Sequence, residues 1–265
     1  MRKLHPLTRQ LGIALLLFLP APIFVVVGAS FTSAGHIQFP PGELSIRWYI
    51  EAVLDPRWPA AFFTSLWIAA ATAVVITAIS FLTAFYCIRY APGIAGILET
   101  MIFSPLFFPH AALGVAMVAV VASLGLLGTG TGIVLAHLIC TLPFAYRPMF
   151  ISLKKIDGEL IEAAQVLGAS EWRIMRDVIL PLSKSGFVTA LLFSFIISFD
   201  EVTVSMFLIG PDVITLPVQI YSFIQDSASP VLAAISTATV VITFLIVFLL
   251  ERTVGLEFFV EKDFA

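Results

Sequence analysis

The chain has 265 residues, of which 60% are hydrophobic and only 12% charged, with a formal net charge of -3 and a mean hydropathy of +1.05. A soluble domain carries about 25% charged residues to cover its surface, so a soluble globular fold is excluded and lipid is the main solvent. The near-neutral total says little about partners, and no nucleic acid is expected among them. Cys87 and Cys140 sit in apolar stretches, so both read as small core hydrophobes, with no disulfide framework and no metal site expected.

The basic start Arg2, Lys3, Arg9 precedes an uncharged run over 11–29. That run is longer than the roughly 7–15 residues of a cleavable signal, which predicts a retained first span. Over 45–54, Ile46, Tyr49, Ile50 and Val53 fall at helical spacing, with Trp48 and Trp58 close by. This predicts a short interfacial helix, either a membrane-surface anchor or a contact for an external partner. An uncharged run over 60–88 follows, then one over 100–146 that far exceeds the ~20 residues of one crossing. Gly125, Gly128, Gly130 and Gly132 supply a turn in its middle, making it two spans. Apolar segments over 185–209 and 227–250 complete the set.

The chain is therefore expected to be an all-α integral membrane protein, a single domain of six transmembrane helices at about 11–31, 62–88, 100–123, 131–152, 186–209 and 228–250. Helices satisfy every backbone group within lipid, and an open sheet does not.

Two of these spans carry interruptions. Pro105 and Pro109, followed by Gly114, should kink or locally open the third. Such a break borders a substrate path in some bundles and is plain packing in others. Asp200 and Glu201 interrupt the fifth, where an acidic group at mid-membrane costs about 2.5–3.5 kcal/mol on insertion scales and so faces protein or water. One carboxylate lines a path for a cationic substrate, or the pair makes a structural hydrogen bond or ion pair with another subunit. Neighbours about 100° apart on a helix do not line one path equally. His110 and His137 lack partners at metal-ligand spacing and are expected as satisfied core histidines rather than proton relays.

Orientation follows from Lys and Arg in the connections. Arg2, Lys3, Arg9, Arg89, Arg147, Lys154, Lys155, Arg173, Arg176, Lys184, Arg252 and Lys262 share one side, against Arg47 and Arg57 on the other. Both termini are then cytoplasmic, 34–59 and the loop near 210–226 face outward, and the longest inward loop spans about 154–184.

That loop reads KKIDGELIEAAQVLGASEWRIMRDVILPLSK and predicts two short helices. Asp157 is an N-cap with Glu159 in the first turn, and Gly168 is placed as a left-handed C′ residue. Ser170 caps a second helix over 171–180, which Pro181 ends. Leu160, Ile161, Ala164 and Leu167 form an apolar stripe that requires cover, from a partner or from the chain's own bundle. Small side chains at Ala163 and Ala164 allow close approach, and Glu162 can pair with a basic group at the rim.

The run Glu162, Ala163, Ala164, three residues, Gly168, nine residues, Val178, Ile179, Leu180, Pro181 resembles the EAA loop of ABC importer permeases, with valine at 178 where that family has isoleucine. The stretches Ser198, Phe199, Asp200, Glu201 and Thr215, Leu216, Pro217, Val218, with Ser229 and Pro230 before Ala233, Ala234, Ile235, Ser236, Thr237, are similar to the polyamine branch. The resemblance covers nearly the whole chain. It implies the type I importer bundle with cytoplasmic coupling helices, 157–181 forming the loop that sits in a groove of a nucleotide-binding subunit. ATPase coupling would then fall to Glu162, Ala163, Ala164, Leu167, Gly168 and Pro181, and the substrate path to Asp200, Glu201 and Pro109.

It further implies an ABC ATPase dimer, a second homologous permease subunit and a solute-binding protein as partners, besides the lipid bilayer, in a bacterial inner membrane. No G-x-x-x-x-G-K-[ST] run occurs, so the chain has no phosphate loop of that kind; no cofactor is expected in it, and ATP with its magnesium belongs to the partner. The cargo implied is a small organic solute, a polyamine such as putrescine or spermidine. Two rival classes are a proton-coupled secondary transporter using Asp200 or Glu201, which would need no ATPase, and a membrane enzyme such as a protease. For the second, neither a GxSxG elbow nor an HExxH helix is present.

Overall fold

A computed structural model describes residues 6–227 and 229–254, and Arg2, Lys3 and Lys262 lie outside this set, as does the side chain of Arg252. The chain falls into two compact units, one formed by the chain up to Pro59 with Ile220–Leu245, the other by Ala60–Gln219 and the remainder of the last helix.

In the first unit, α1 (Pro6–Phe18) and α2 (Ala21–Ser30) meet at Pro20. Together they make one apolar stretch, Leu7–Ser30, of 24 residues, enough to cross a bilayer core. Most of its side chains are exposed, as suits a surface facing lipid. A return loop follows, pinned by the isolated bridge between Thr32 and Leu44. The expected interfacial helix is α3 (Arg47–Leu54). Its Trp48 is buried rather than turned to a headgroup zone, because the indole N–H donates to the Thr32 carbonyl at 2.8 Å. Beside it the Tyr49 and Ser30 hydroxyls lie 2.6 Å apart. Just beyond the helix, Arg57 grips Asp55 at 2.6 Å and holds that carboxyl below its usual range.

α4 (Arg57–Arg89), which belongs to the second unit from Ala60 onward, runs for 33 residues, about 50 Å at 1.5 Å per residue, longer than a hydrocarbon core requires. Next come α5 (Ala95–Phe103), a 3-10 turn Ser104–Phe107 and α6 (His110–Ser123). The third span is not one kinked helix, since the helical stretches on either side of the break meet at 107°. Pro109 supplies no N–H and pushes Phe108 into an extended conformation (φ -98, ψ 140), so the helix stops and starts again.

Past Gly125 and Gly128, both at positive φ, α7 (Gly130–Lys154) carries Pro143 and Pro148 inside it. The loop holds α8 (Gly158–Val166) and α9 (Glu171–Ile174), a π-helical turn Met175–Ile179 and α10 (Leu180–Leu182). Pro181 therefore does not end the second helix as its chemistry suggested. The wider π turn just before it opens the hydrogen-bond ladder that the proline ring would block. The stop comes at Ser183, whose hydroxyl donates to the Ile179 carbonyl at 2.7 Å, and the chain turns 64° there.

α11 (Lys184–Asp200) then packs along α7 more extensively than any other pair of elements does. Gly186 permits it, since a β-carbon there would lie 2.6 Å from that of Ser152. The fifth span ends at Asp200 instead of continuing to 209. A 3-10 turn Ser205–Phe207 and an isolated bridge between Gly210 and Val213 follow. The expected outer loop near 210–226 contains a helix, α12 (Leu216–Asp226), and α13 (Val231–Val254) is the last element among the described residues. Among the described residues four stretches are long and apolar enough to cross a membrane, and up to six if each bent pair counts as one span.

Candidate functional site

The loop helix α8 is fixed at both ends by its own sequence. The Asp157 carboxylate accepts from the Glu159 N–H at 3.0 Å, at the end where the helix dipole favours negative charge. At the other end Gly168 takes φ +79, its N–H donates to the Gln165 carbonyl at 2.9 Å, and the Ala169 N–H donates to the Ala164 carbonyl at 3.0 Å. Those two bonds make a Schellman motif. Ser170 caps α9 by accepting from the Arg173 N–H at 3.4 Å.

The apolar stripe divides. Ile161 is buried in a cluster with Leu153, Ile174 and Ile179, and Ala164 packs against the same cluster. Leu160 is half-exposed, whereas Leu167 and Val166 are 86% and 87% exposed and Trp172 71%. Residues three apart share a helix face, so Ile161 and Ala164 point to the bundle together. Leu167 lies past the last helical residue and escapes that face. Glu162, Ala163, Gly168 and Pro181 are also exposed. The loop thus uses its own bundle as a seat for one face and leaves a second, mixed apolar and acidic face outward. On the adjoining π turn Arg176 pairs with Asp177 at 2.6 Å, which holds Asp177 below the ordinary carboxylate range.

The acidic pair lies at a helix end rather than within a span. Asp200 is exposed and Glu201 is 7% exposed, because α11 stops between them. Glu201 Oε1 accepts from the Val204 N–H at 2.9 Å, and its Oε2 lies 3.0 Å from His110 Nδ1. His110 is the first residue of α6, the helix end at which a carboxylate is favoured. His110 is exposed and so is not the core histidine expected, though its ring is paired with Glu201, and Pro109, exposed beside it, sets where α6 begins. His137 is a satisfied core histidine: Nδ1 lies 2.8 Å from Ser198 Oγ and Nε2 2.8 Å from Ser205 Oγ. These contacts tie the unwound segment 201–204 to α6 and α7 on both sides. Neither link is readable from local sequence. Among the described residues no group of three or more His, Cys, Asp or Glu side chains is placed to hold a metal ion.

A membrane-spanning helical chain with an exposed, doubly capped loop helix and no phosphate loop of its own has the build of the membrane component of a multisubunit transporter. Residues 79–255 match the family described as "Binding-protein-dependent transport system inner membrane component", and the chain belongs to it. It is 30% identical to the spermidine/putrescine transport system permease protein PotC of Escherichia coli, over 88% of each chain. It is 29% identical to the putrescine transport system permease protein PotI of the same organism, over 83% of this chain and 80% of that one. Its fold is similar to a bacterial alginate ABC transporter solved with an alginate pentasaccharide-bound periplasmic protein. The TM-score is 0.73 at 14% identity, covering 93% of this chain and 92% of that one.

The chain is thus the inner-membrane permease component of an ABC importer, and ATP hydrolysis is the work of a separate ATPase subunit. The secondary-transporter and membrane-enzyme readings fall with that assignment.

Proposed function

We propose that the chain forms, with a second homologous permease subunit, the translocation path for an aliphatic polyamine handed over by a solute-binding protein, and that an ATPase dimer docks on α8. One observation carries the docking: α8 is seated through Ile161 while Leu167, Ala163, Glu162 and Gly168 face away from the bundle. An outward apolar face beside an acidic side chain suits a groove with a basic rim, and ATP with its magnesium is held by that partner. The positive-inside count supports cytoplasmic placement of α8 and of both termini.

The spermidine/putrescine and putrescine permeases among the relatives support a polyamine cargo. Asp200 supports it chemically, as an exposed carboxylate at the C-terminal end of α11. A carboxylate there offsets the desolvation of an ammonium group entering the bilayer. Glu201, engaged by His110 and Val204, holds the break in shape rather than meeting cargo.

The test is reconstitution of the chain with its second permease, ATPase and binding protein in vesicles, followed by ATP-dependent uptake of labelled putrescine against a neutral diol of equal length. Selective putrescine uptake is expected, reduced about tenfold or more by Asp200→Asn with the binding-protein-stimulated ATPase rate largely retained. Full stimulation without putrescine uptake overturns the cargo. An intact, active complex with Glu162→Lys and Gly168→Trp overturns the docking.

A further inference from the structure

A cavity of about 420 Å³ lies between the end of α4 and the segment that follows α8, walled by Phe81, Phe85, Tyr90, Trp172, Met175 and Glu171. We propose that it is a binding site for a small alkylammonium ion, separate from the translocation path.

The walls set the chemistry. The Phe85 ring stacks on Phe81 at 6.0 Å and 13° and meets Tyr90 edge-on at 6.0 Å and 77°, so three rings form one continuous side. Trp172 is 71% exposed and adds an indole, the strongest of the aromatic partners for a cation. Glu171 is the one charged side chain in the lining, and among the described residues no ion pair engages it. Aromatic faces, a thioether and a free carboxylate attract a soft cation and repel an anion. Leu82 and Leu180 complete the wall and offer apolar surface to a short alkyl chain.

The neighbouring cavity, about 300 Å³, shares Phe85 but has Arg89 as its charged lining residue. The two hollows thus have opposite charge preferences, and only the first suits an amine. An occupant there touches α4 on one side and α9 with its π turn on the other, bridging a membrane span to the loop. On the orientation proposed above the cavity opens on the cytoplasmic side. The ammonium group comes from a soluble amine or from an aminolipid headgroup.

The experiment uses the assembled complex in phosphatidylglycerol nanodiscs, with butylammonium as probe and 1-butanol as its neutral counterpart, followed by saturation-transfer NMR. Saturable butylammonium binding is expected, weakened about two- to fivefold by Glu171→Gln and by Trp172→Leu and nearly restored by Trp172→Phe, which keeps a π face. Equal binding of butanol, unchanged affinity in both weakening variants, or no saturable signal in the complex each overturns the site. If phosphatidylethanolamine nanodiscs lower the apparent affinity, the lipid headgroup is the occupant; if they leave it unchanged, a soluble amine is. A complex that imports no polyamine yet binds butylammonium through Glu171 and Trp172 leaves the site standing, so the two proposals fail separately.

Discussion

His137 uses both ring nitrogens on the hydroxyls of Ser198 and Ser205, and all three residues are buried. Replacing it by leucine strands two hydroxyls, at about 1–3 kcal/mol for each unsatisfied buried group. A lower midpoint of thermal unfolding in detergent is expected for His137→Leu, partly recovered when Ser198→Ala and Ser205→Ala are added. An unchanged midpoint would show that the hydroxyls find other partners. Gly168 is the second sensitive position, since φ +79 places a β-carbon against the neighbouring carbonyl. Gly168→Ala is expected to cost about 1 kcal/mol locally and to speed hydrogen exchange at the Gly168 and Ala169 amides, with Gly168→Asn milder. The caps at Asp157, Gly168 and Ser170 are legible in the sequence because each bond closes within a few residues. The His110 contact with Glu201 joins residues 91 apart, and no local pattern encodes it.

α8 is an element with two jobs divided between its faces. Ile161→Ala removes a seat buried against Leu153 and Ile179 and is expected to cost about 2–4 kcal/mol in the anchoring of the loop. Leu167→Asp changes an exposed position and is expected to leave the fold intact. Under the docking proposed above, co-purification separates the two: Leu167→Asp loses ATPase at wild-type stability, whereas Ile161→Ala loses both together. The packing of α7 on α11 makes a parallel case. Gly186→Val pushes against Ser152 and the backbone of Met149, an overpacking expected to cost about 1–3 kcal/mol in thermal unfolding. Helical spacing revealed the stripe on α8 but not its division, because periodicity says which residues share a face and nothing of what that face meets. Nor did it foresee the π turn, whose role depends on where Pro181 falls relative to the turn at Ser183.

At the scale of the molecule, the division of labour between a permease and a separate ATPase makes a direct prediction. Vesicles holding the chain alone should show no solute uptake driven by a pH gradient, and transport should appear only with the ATPase and ATP; gradient-driven uptake by the chain alone would contradict the assignment. Composition and charge runs by themselves determined that the chain is a helical bundle in lipid, how many spans to expect, and which loop stands apart. These follow from the burial of backbone groups and the cost of charge in hydrocarbon, both summed along the chain. Only the tertiary structure decided that the third span is two helices at 107°. It also decided that the fifth stops at Asp200, that Glu201 turns inward to His110 while its neighbour faces out, and that half of the loop's stripe is already covered. Each of these depends on contacts between segments distant in sequence, where packing and hydrogen bonding override local preference.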